Sequence, residues 1–367
     1  MSCDFIGQAL PAIQSLQPYQ PGKPIEELVR EQGLDETSIV KLASNENPLG
    51  PSPVVTAAVN NAMASVSRYP DANGFALKQA LAERLNVPME QITLGNGSND
   101  LLVLLAECYL NTGCSAVYSE YAFFVYSLAV RATGAEGIVV SAINWGHDLE
   151  AMANAVREDT RMVFLANPNN PTGTHFNETE LRWFLDKVPS HVLVILDEAY
   201  VEYSADADSN NSIALIDQYS NLVVTRTFSK AYGLAGCRVG YAISNPQVAD
   251  ILNRLRQPFN VNSLGQAAAL AALADDEYLA RSRVLNREGL VQLTTGFNAL
   301  GLKWIPSAGN FICVDMGCDA LPVYEELLAQ GVIVRPVGNY GMPQHLRISV
   351  GLPEENQRCL DALEAVL

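Results

Sequence analysis

A lysine and an aspartate stand where apolar runs end, and this is where a carbonyl-directed nucleophile and its electrostatic partner can work together. Lys230 lies in TFSKAYGLAGCRVG, residues 227–240, shortly after the apolar run 222–225. A lysine at the end of a buried strand is desolvated, which lowers its pKa and makes the amine nucleophilic toward a carbonyl. Ser229 precedes it and Arg238 follows eight residues later, a hydroxyl and a guanidinium suited to an anion such as a phosphate. A solvent-facing loop lysine fits this segment equally well when it is taken alone. Asp197 closes VLVILD directly after five apolar residues. A buried carboxylate needs a partner, and a protonated ring nitrogen is one. Capping of a following helix is the commoner use of such an aspartate.

Three further segments carry weaker signals. ANPNNPTG, residues 166–173, alternates Pro and Asn into a rigid turn that could present an amide to a ring oxygen. LGNGSNDLL, residues 94–102, places two glycines before an apolar helix, with Ser98 at the expected N-cap, and so offers free N–H groups to an anion. It is not the dinucleotide pattern, because the third glycine position is Asp100. Near the end, Arg335 and Arg347 each sit in a strand-like run on either side of a Gly/Pro-rich loop. Together they could bind one anionic substrate, and paired with acidic residues they would be structural.

The elements that must hold these residues follow from the apolar pattern. Runs at 116–118, 137–140, 162–166, 192–196, 222–225 and 239–243 are short and often β-branched, as strands buried on both faces of a parallel sheet are. Helical segments lie between them, for example 99–110 and 178–186. This alternation predicts an α/β sandwich with ligands at the carboxyl ends of the strands. The first fifty residues are rich in Pro and Gly and read as an arm with one short helix at 25–32. After Pro258 the character changes. An Ala-rich helix at 263–274 and a long charged helix from Glu277 precede strand-like runs at 311–315, 332–335 and 346–350, with helices at 323–329 and at the C-terminus. The expected organisation is an arm (1–50) partly joined to the smaller unit, a large domain (51–258) and a smaller α+β domain (259–367).

Composition narrows the partners. The chain has 367 residues, 49% hydrophobic and 17% charged, which fits a globular two-domain protein. A net charge of −17 opposes binding to a nucleic-acid backbone. Seven cysteines with no C-x-x-C spacing speak for buried reduced thiols and a cytoplasmic address, and against a metal site or a disulfide framework. No leader-like segment and no uncharged run of membrane-spanning length is read from the sequence.

In order along the chain, SNENPLG, RYP, GNGSN, NPNNPTG, DEAY, SKAYGLAGCRVG and LRISVG resemble the motifs of class I/II aminotransferases dependent on pyridoxal phosphate. The likeness spans nearly the whole chain. LQPYQPGKPIEEL, YAFFVY and GVIVRPVGNYGMPQHLRISVG are most similar to the histidinol-phosphate branch of that family. The resemblance implies the fold-type-I architecture: a large three-layer α/β/α domain with a mostly parallel sheet, plus a smaller α+β domain. It implies that Lys230 joins the cofactor and later shuttles a proton, and that Asp197 pairs with the pyridine nitrogen. Asn170 and Tyr200 would bond the phenolic oxygen, and Phe123 would stack on the ring where many members carry Tyr. Gly97, Ser98, Asn99, Thr227, Ser229 and Arg238 would surround the cofactor phosphate, with Tyr69 arriving from the other subunit of a homodimer. Arg347 would take a carboxylate or phosphate of the substrate, Arg335 and Tyr19 would add to phosphate recognition, and Asn47 would border the same pocket. The implied reaction is ping-pong transamination between L-histidinol phosphate and 2-oxoglutarate. An aromatic or broad-specificity aminotransferase and a phosphothreonine decarboxylase-like enzyme share the motif set.

Overall fold

The computed structural model describes residues 3–14, 16, 22–204 and 212–367. Its strands, in chain order, are β1 (Val40–Lys41), β2 (Ile92–Gly95), β3 (Ser115–Ser119), β4 (Glu136–Val140), β5 (Thr160–Ala166), β6 (Leu193–Asp197), β7 (Leu222–Thr227), β8 (Gly240–Ile243), β9 (Lys303–Ile305), β10 (Phe311–Asp315), β11 (Val332–Ile333), β12 (Arg335–Pro336) and β13 (His345–Ser349).

The large sheet has seven strands in the order β2-β8-β7-β6-β5-β3-β4. Strands β4, β3, β5, β6 and β7 pair in parallel, and β8 runs antiparallel to β7 and β2. Side chains alternate between two cores, as the period-two geometry of a strand requires. From β5, Val163 and Leu165 enter one core, while Met162, Phe164 and Ala166 enter the other. The first core is closed by helices Phe75–Leu85, Glu178–Lys187 and Ser263–Leu273, and the second by helices Ser98–Tyr109, Phe124–Ala132 and Pro246–Leu255. The sheet is therefore the middle of three layers. Each fully buried Phe or Leu contributes about 2 kcal/mol to this arrangement.

A second, wholly antiparallel sheet runs β12-β13-β10-β9. Helices Asp276–Ala299, Ala320–Ala329 and Pro353–Val366 supply its core through Leu293, Phe297, Leu327, Leu360 and Leu363. The arm joins this unit: β1 pairs in parallel with β11, and Leu28 and Ala43 pack on Leu328 and Ile333.

Three sequence expectations need correction. The run 332–335 is two strands, β11 serving the arm and β12 serving the second sheet. Helix Ser263–Leu273, assigned to the smaller domain, packs its small faces Ala268, Ala269 and Ala272 into the core of the large sheet. Of the seven cysteines, Cys114, Cys313 and Cys359 are buried, whereas Cys3 and Cys318 are exposed. Among the described residues, no helix is long and apolar enough to cross a membrane.

Candidate active site

Strands β2, β3, β5, β6 and β7 all end on one rim of the large sheet, and antiparallel β8 begins there. Every site segment predicted after a strand therefore meets at that rim, together with Arg238, which leads into β8. They surround a cavity of about 410 Å³ lined by Ser98, Asn99, Phe123, Asn170, Asp197, Tyr200, Thr227, Ser229, Lys230, Arg238, Arg335 and Arg347.

Lys230 donates from Nζ to the Ser44 carbonyl at 3.1 Å. Burial, and then the neighbouring Arg347 guanidinium, hold its ammonium down to about 8. Asp197 is the last residue of β6. It caps no helix: its Oδ2 accepts from Tyr126 at 2.8 Å and its Oδ1 from Thr225 at 3.3 Å. Burial pushes its carboxyl up to about 6, and those two bonds oppose the rise, so it is mainly a carboxylate at neutral pH. These donors and the Ala199 backbone N–H are all neutral, so the charge lacks the cationic partner that a buried carboxylate calls for. The Tyr200 phenol, pushed up to about 12 by burial, stays protonated. Its oxygen accepts from Asn45 Nδ2 at 3.0 Å and from Asn170 Nδ2 at 3.2 Å.

A cradle for an anion lies beside these groups. Helix Ser98–Tyr109 starts after Gly97 with no side-chain cap, leaving its first N–H groups available. Ser98 is thus the first helical residue and not the N-cap expected from sequence. Gly97 has φ +88°, and a Cβ there would stand 2.5 Å from Arg238 Nη2. Across the cradle, a Cβ on Gly240 would run into the Ser98 backbone nitrogen. Both glycines let a guanidinium and a helix start approach one small volume. Arg238 donates from Nη1 to Ser229 Oγ at 3.1 Å.

Opposite the cradle, Arg335 on β12 and Arg347 on β13 are direct cross-strand partners, so both side chains leave the same face. Like charges in that register repel, and an anion between them removes the penalty. Arg347 donates to Asn170 Oδ1 at 2.6 Å and to the Ala43 carbonyl at 2.8 Å, both neutral acceptors. Its buried Nε has no partner among the described residues. A flat ring with an anionic tail fits this set: a carboxylate for a ring nitrogen, amide and phenol groups for a ring oxygen, and a cradle for a phosphate.

A model of the family "aminotransferase class I and II" matches residues 37–363. The chain belongs to this family. The aminotransferase is 60% identical over 367 residues to histidinol-phosphate aminotransferase 2 of Pseudomonas fluorescens strain Pf-5, covering 100% of this chain and 99% of that protein. It is 60% identical over 364 residues to the protein of that name from Pseudomonas aeruginosa, covering 99% of each. Among solved structures, histidinol-phosphate aminotransferase from Sinorhizobium meliloti in complex with pyridoxal-5′-phosphate superposes with TM-score 0.91 and 33% identity, covering 98% of this chain and 97% of that one. Aspartate aminotransferase from Thermus thermophilus with maleate has TM-score 0.83 at 22% identity, a likeness of fold.

Among the predicted site residues of the aminotransferase, Tyr69 and Asn47 lie outside the cavity lining. Tyr69 is 83% exposed and stacks on Phe259 at 4.6 Å, away from its own chain's cavity. Asn47, expected to border the pocket, turns away: its Nδ2 donates to the Ala231 carbonyl at 2.9 Å and to Ser282 Oγ at 2.8 Å. Tyr19 lies outside the described residues. Conversely, sequence reasoning missed Ser44, Asn45, Tyr126 and Thr225, each bonded to a predicted site residue. SNENPLG and YAFFVY contain the first three, so the motifs pointed at the right segments without selecting the residues.

Proposed function

We propose that this chain catalyses the pyridoxal-5′-phosphate-dependent transfer of an amino group from L-histidinol phosphate to 2-oxoglutarate. The products are imidazole-acetol phosphate and L-glutamate, and the reaction belongs to histidine biosynthesis. The observation that carries the reading is the cross-strand pair Arg335 and Arg347, two guanidiniums facing the same cavity as the Lys230 amine. Such a pair suits substrates with an anionic end, a phosphate in one half-reaction and a carboxylate in the other. The names of the full-length relatives at 60% identity support the same choice.

When bound, the cofactor supplies an electron-poor ring that accommodates negative charge developing on the substrate. The chain's own groups do the rest. Lys230 offers a partly unprotonated amine that would hold the cofactor and would serve as the base for the proton on the substrate's α-carbon. Asp197 would hold a proton on the ring nitrogen. Asn170 and Tyr200 would fix the phenolic oxygen, and Phe123 would cover a ring face. Ser98, Asn99, Ser229 and Arg238 would hold the phosphate. Arg347 orients the substrate carboxylate, and Arg335, with Tyr19, adds to recognition of the phosphorylated donor.

The functional unit is a homodimer, with Tyr69 of each chain completing the other chain's phosphate site. The wide exposure of its ring supports this reading. Residues 51–258 with helix Ser263–Leu273 form the cofactor-binding unit, and the arm joins the remainder of 259–367 in the smaller one. The enzyme works in the cytoplasm, without nucleic acid or membrane. Steady-state kinetics with histidinol phosphate, tyrosine and phenylalanine as donors test the substrate. The reading requires the highest kcat/KM with histidinol phosphate. Preference for an unphosphorylated donor, or release of carbon dioxide without turnover of the oxo acid, overturns it.

A further inference from the structure

We propose that Asn45 is a positioning residue that forces the Tyr200 hydroxyl to donate its proton into the cavity, toward an anionic oxygen of the bound cofactor.

The argument is a count of donors and acceptors. Arg347 can only donate, so the Asn170 atom 2.6 Å from its Nη1 must be Oδ1, and the other end of that amide, Nδ2, donates to Tyr200. Asn45 is fixed from its other side. Ser349 Oγ accepts the Asn45 backbone N–H at 2.9 Å and donates its own proton to Asn45 Oδ1, also at 2.9 Å. The Asn45 carbonyl accepts from Asn310 Nδ2 at 3.0 Å. Asn45 therefore presents Nδ2 to Tyr200 at 3.0 Å. Asn45 holds φ +54°, a left-handed conformation that asparagine tolerates better than most residues. With two amide donors filling both lone pairs of its oxygen, Tyr200 has one role left, and its O–H points to whatever acceptor the cavity holds.

This inference rests on the cofactor reading above. A phenol that can only donate favours the deprotonated form of a phenolic oxygen next to it and lowers the pH at which that form appears. The charged groups around Tyr200 are Lys230, Arg347 and Asp197, with the Tyr340 phenol nearby. None of these is altered by changing Asn45.

The test is the pH midpoint of the cofactor's visible absorbance change in purified, cofactor-loaded protein, read beside the cofactor dissociation constant from equilibrium dialysis. Asn45→Asp replaces a donor with an acceptor of the same shape, which captures the Tyr200 proton. The expected result is a midpoint raised by about one pH unit or more and cofactor binding weakened about tenfold. A new negative charge by itself also raises the midpoint, so the same substitution is made in Tyr200→Phe. There the shift must fall to less than half. Equal shifts in the two backgrounds, or no shift in Asn45→Asp, overturn the proposal. If Asn45→Asp does not fold, Ser349→Ala loosens Asn45 without adding charge, and an unmoved midpoint there overturns it equally. A wild-type protein that stays colourless with excess cofactor overturns the cofactor reading and this inference with it. A coloured wild type with unmoved variants overturns this inference alone.

Discussion

The Lys230 amine gives the most direct prediction, because burial and Arg347 bring its pKa to about 8 from the ordinary 10.5. At pH 7.5 roughly a quarter of such amines are unprotonated, against about one in a thousand for an ordinary lysine. In cofactor-free protein, Lys230 should therefore react with a small acylating reagent some two hundred times faster at pH 7.5 than protonation of an ordinary lysine allows. Pulsed labelling from pH 6 to 10.5 with peptide mass spectrometry reads this, each lysine being normalised to its own high-pH plateau so that access cancels. The Lys230 profile should have its midpoint near 8, and Arg347→Gln should move it upward. The sign for stability is also fixed. The folded pKa lies below the unfolded one, so between about 8 and 10.5 the unfolded chain holds a proton that the folded chain does not. The cofactor-free protein should gain stability from this residue as pH rises through that window. A labelling midpoint above 10 would refute the claim that the site activates this amine.

Two further outcomes follow from the same structure. Arg335→Ala removes one charge-assisted bond to a phosphate, so KM for the phosphorylated donor should rise about 10- to 100-fold while that for glutamate changes far less; equal losses in steady-state assays would show that Arg335 is not phosphate-selective. Glu202 is buried, its Oε2 has no hydrogen-bond partner among the described residues, and burial pushes its carboxyl up to about 7 despite the nearby Arg226. A folded pKa raised above the unfolded 4.5 means stability that is complete below that value and lost as pH rises through about 7. Thermal melts of wild type and Glu202→Gln from pH 5 to 8 should diverge, the variant losing less stability toward pH 8, and parallel curves would remove Glu202 as the cause.

The residues that sequence reasoning placed best share one feature: each ends or follows a buried apolar strand. Asp197 after VLVIL, Asn170 after MVFLA and Lys230 after LVVT carry their own structural context, because the chain leaving a strand buried on both faces emerges at the sheet's rim. Where the chain is not in a regular element this inference has no purchase. SNENPLG holds two asparagines, and which one faces the cavity depends on the left-handed turn at Asn45, which alternation of side chains does not encode. The short β2 was passed over because four residues ending in Gly carry little periodic signal. Its neighbour Gly97, not Ser98, is the N-cap, since a φ of +88° suits glycine at that position, and Ser98 begins the helix with its hydroxyl left to line the cavity. The boundary after Pro258 failed for a related reason. Composition marks where a chain changes character, whereas packing of Ala268, Ala269 and Ala272 decides which core a helix joins.

The same geometry explains how a chain of net charge −17 accommodates anions. Lys230, Arg238, Arg335 and Arg347 line the cavity against a single acid, Asp197, so the local field opposes the global one. Near these groups the local field prevails, because surface charges more than a Debye length away are screened. This arrangement also couples the cations to occupancy. Arg347 and Arg238 each lower the Lys230 pKa, and an anion bound at either guanidinium cancels part of that effect. The amine is therefore least basic while both guanidiniums lack an anion, and more basic once anions are seated, because the guanidiniums that face the anions also set the proton affinity of the amine.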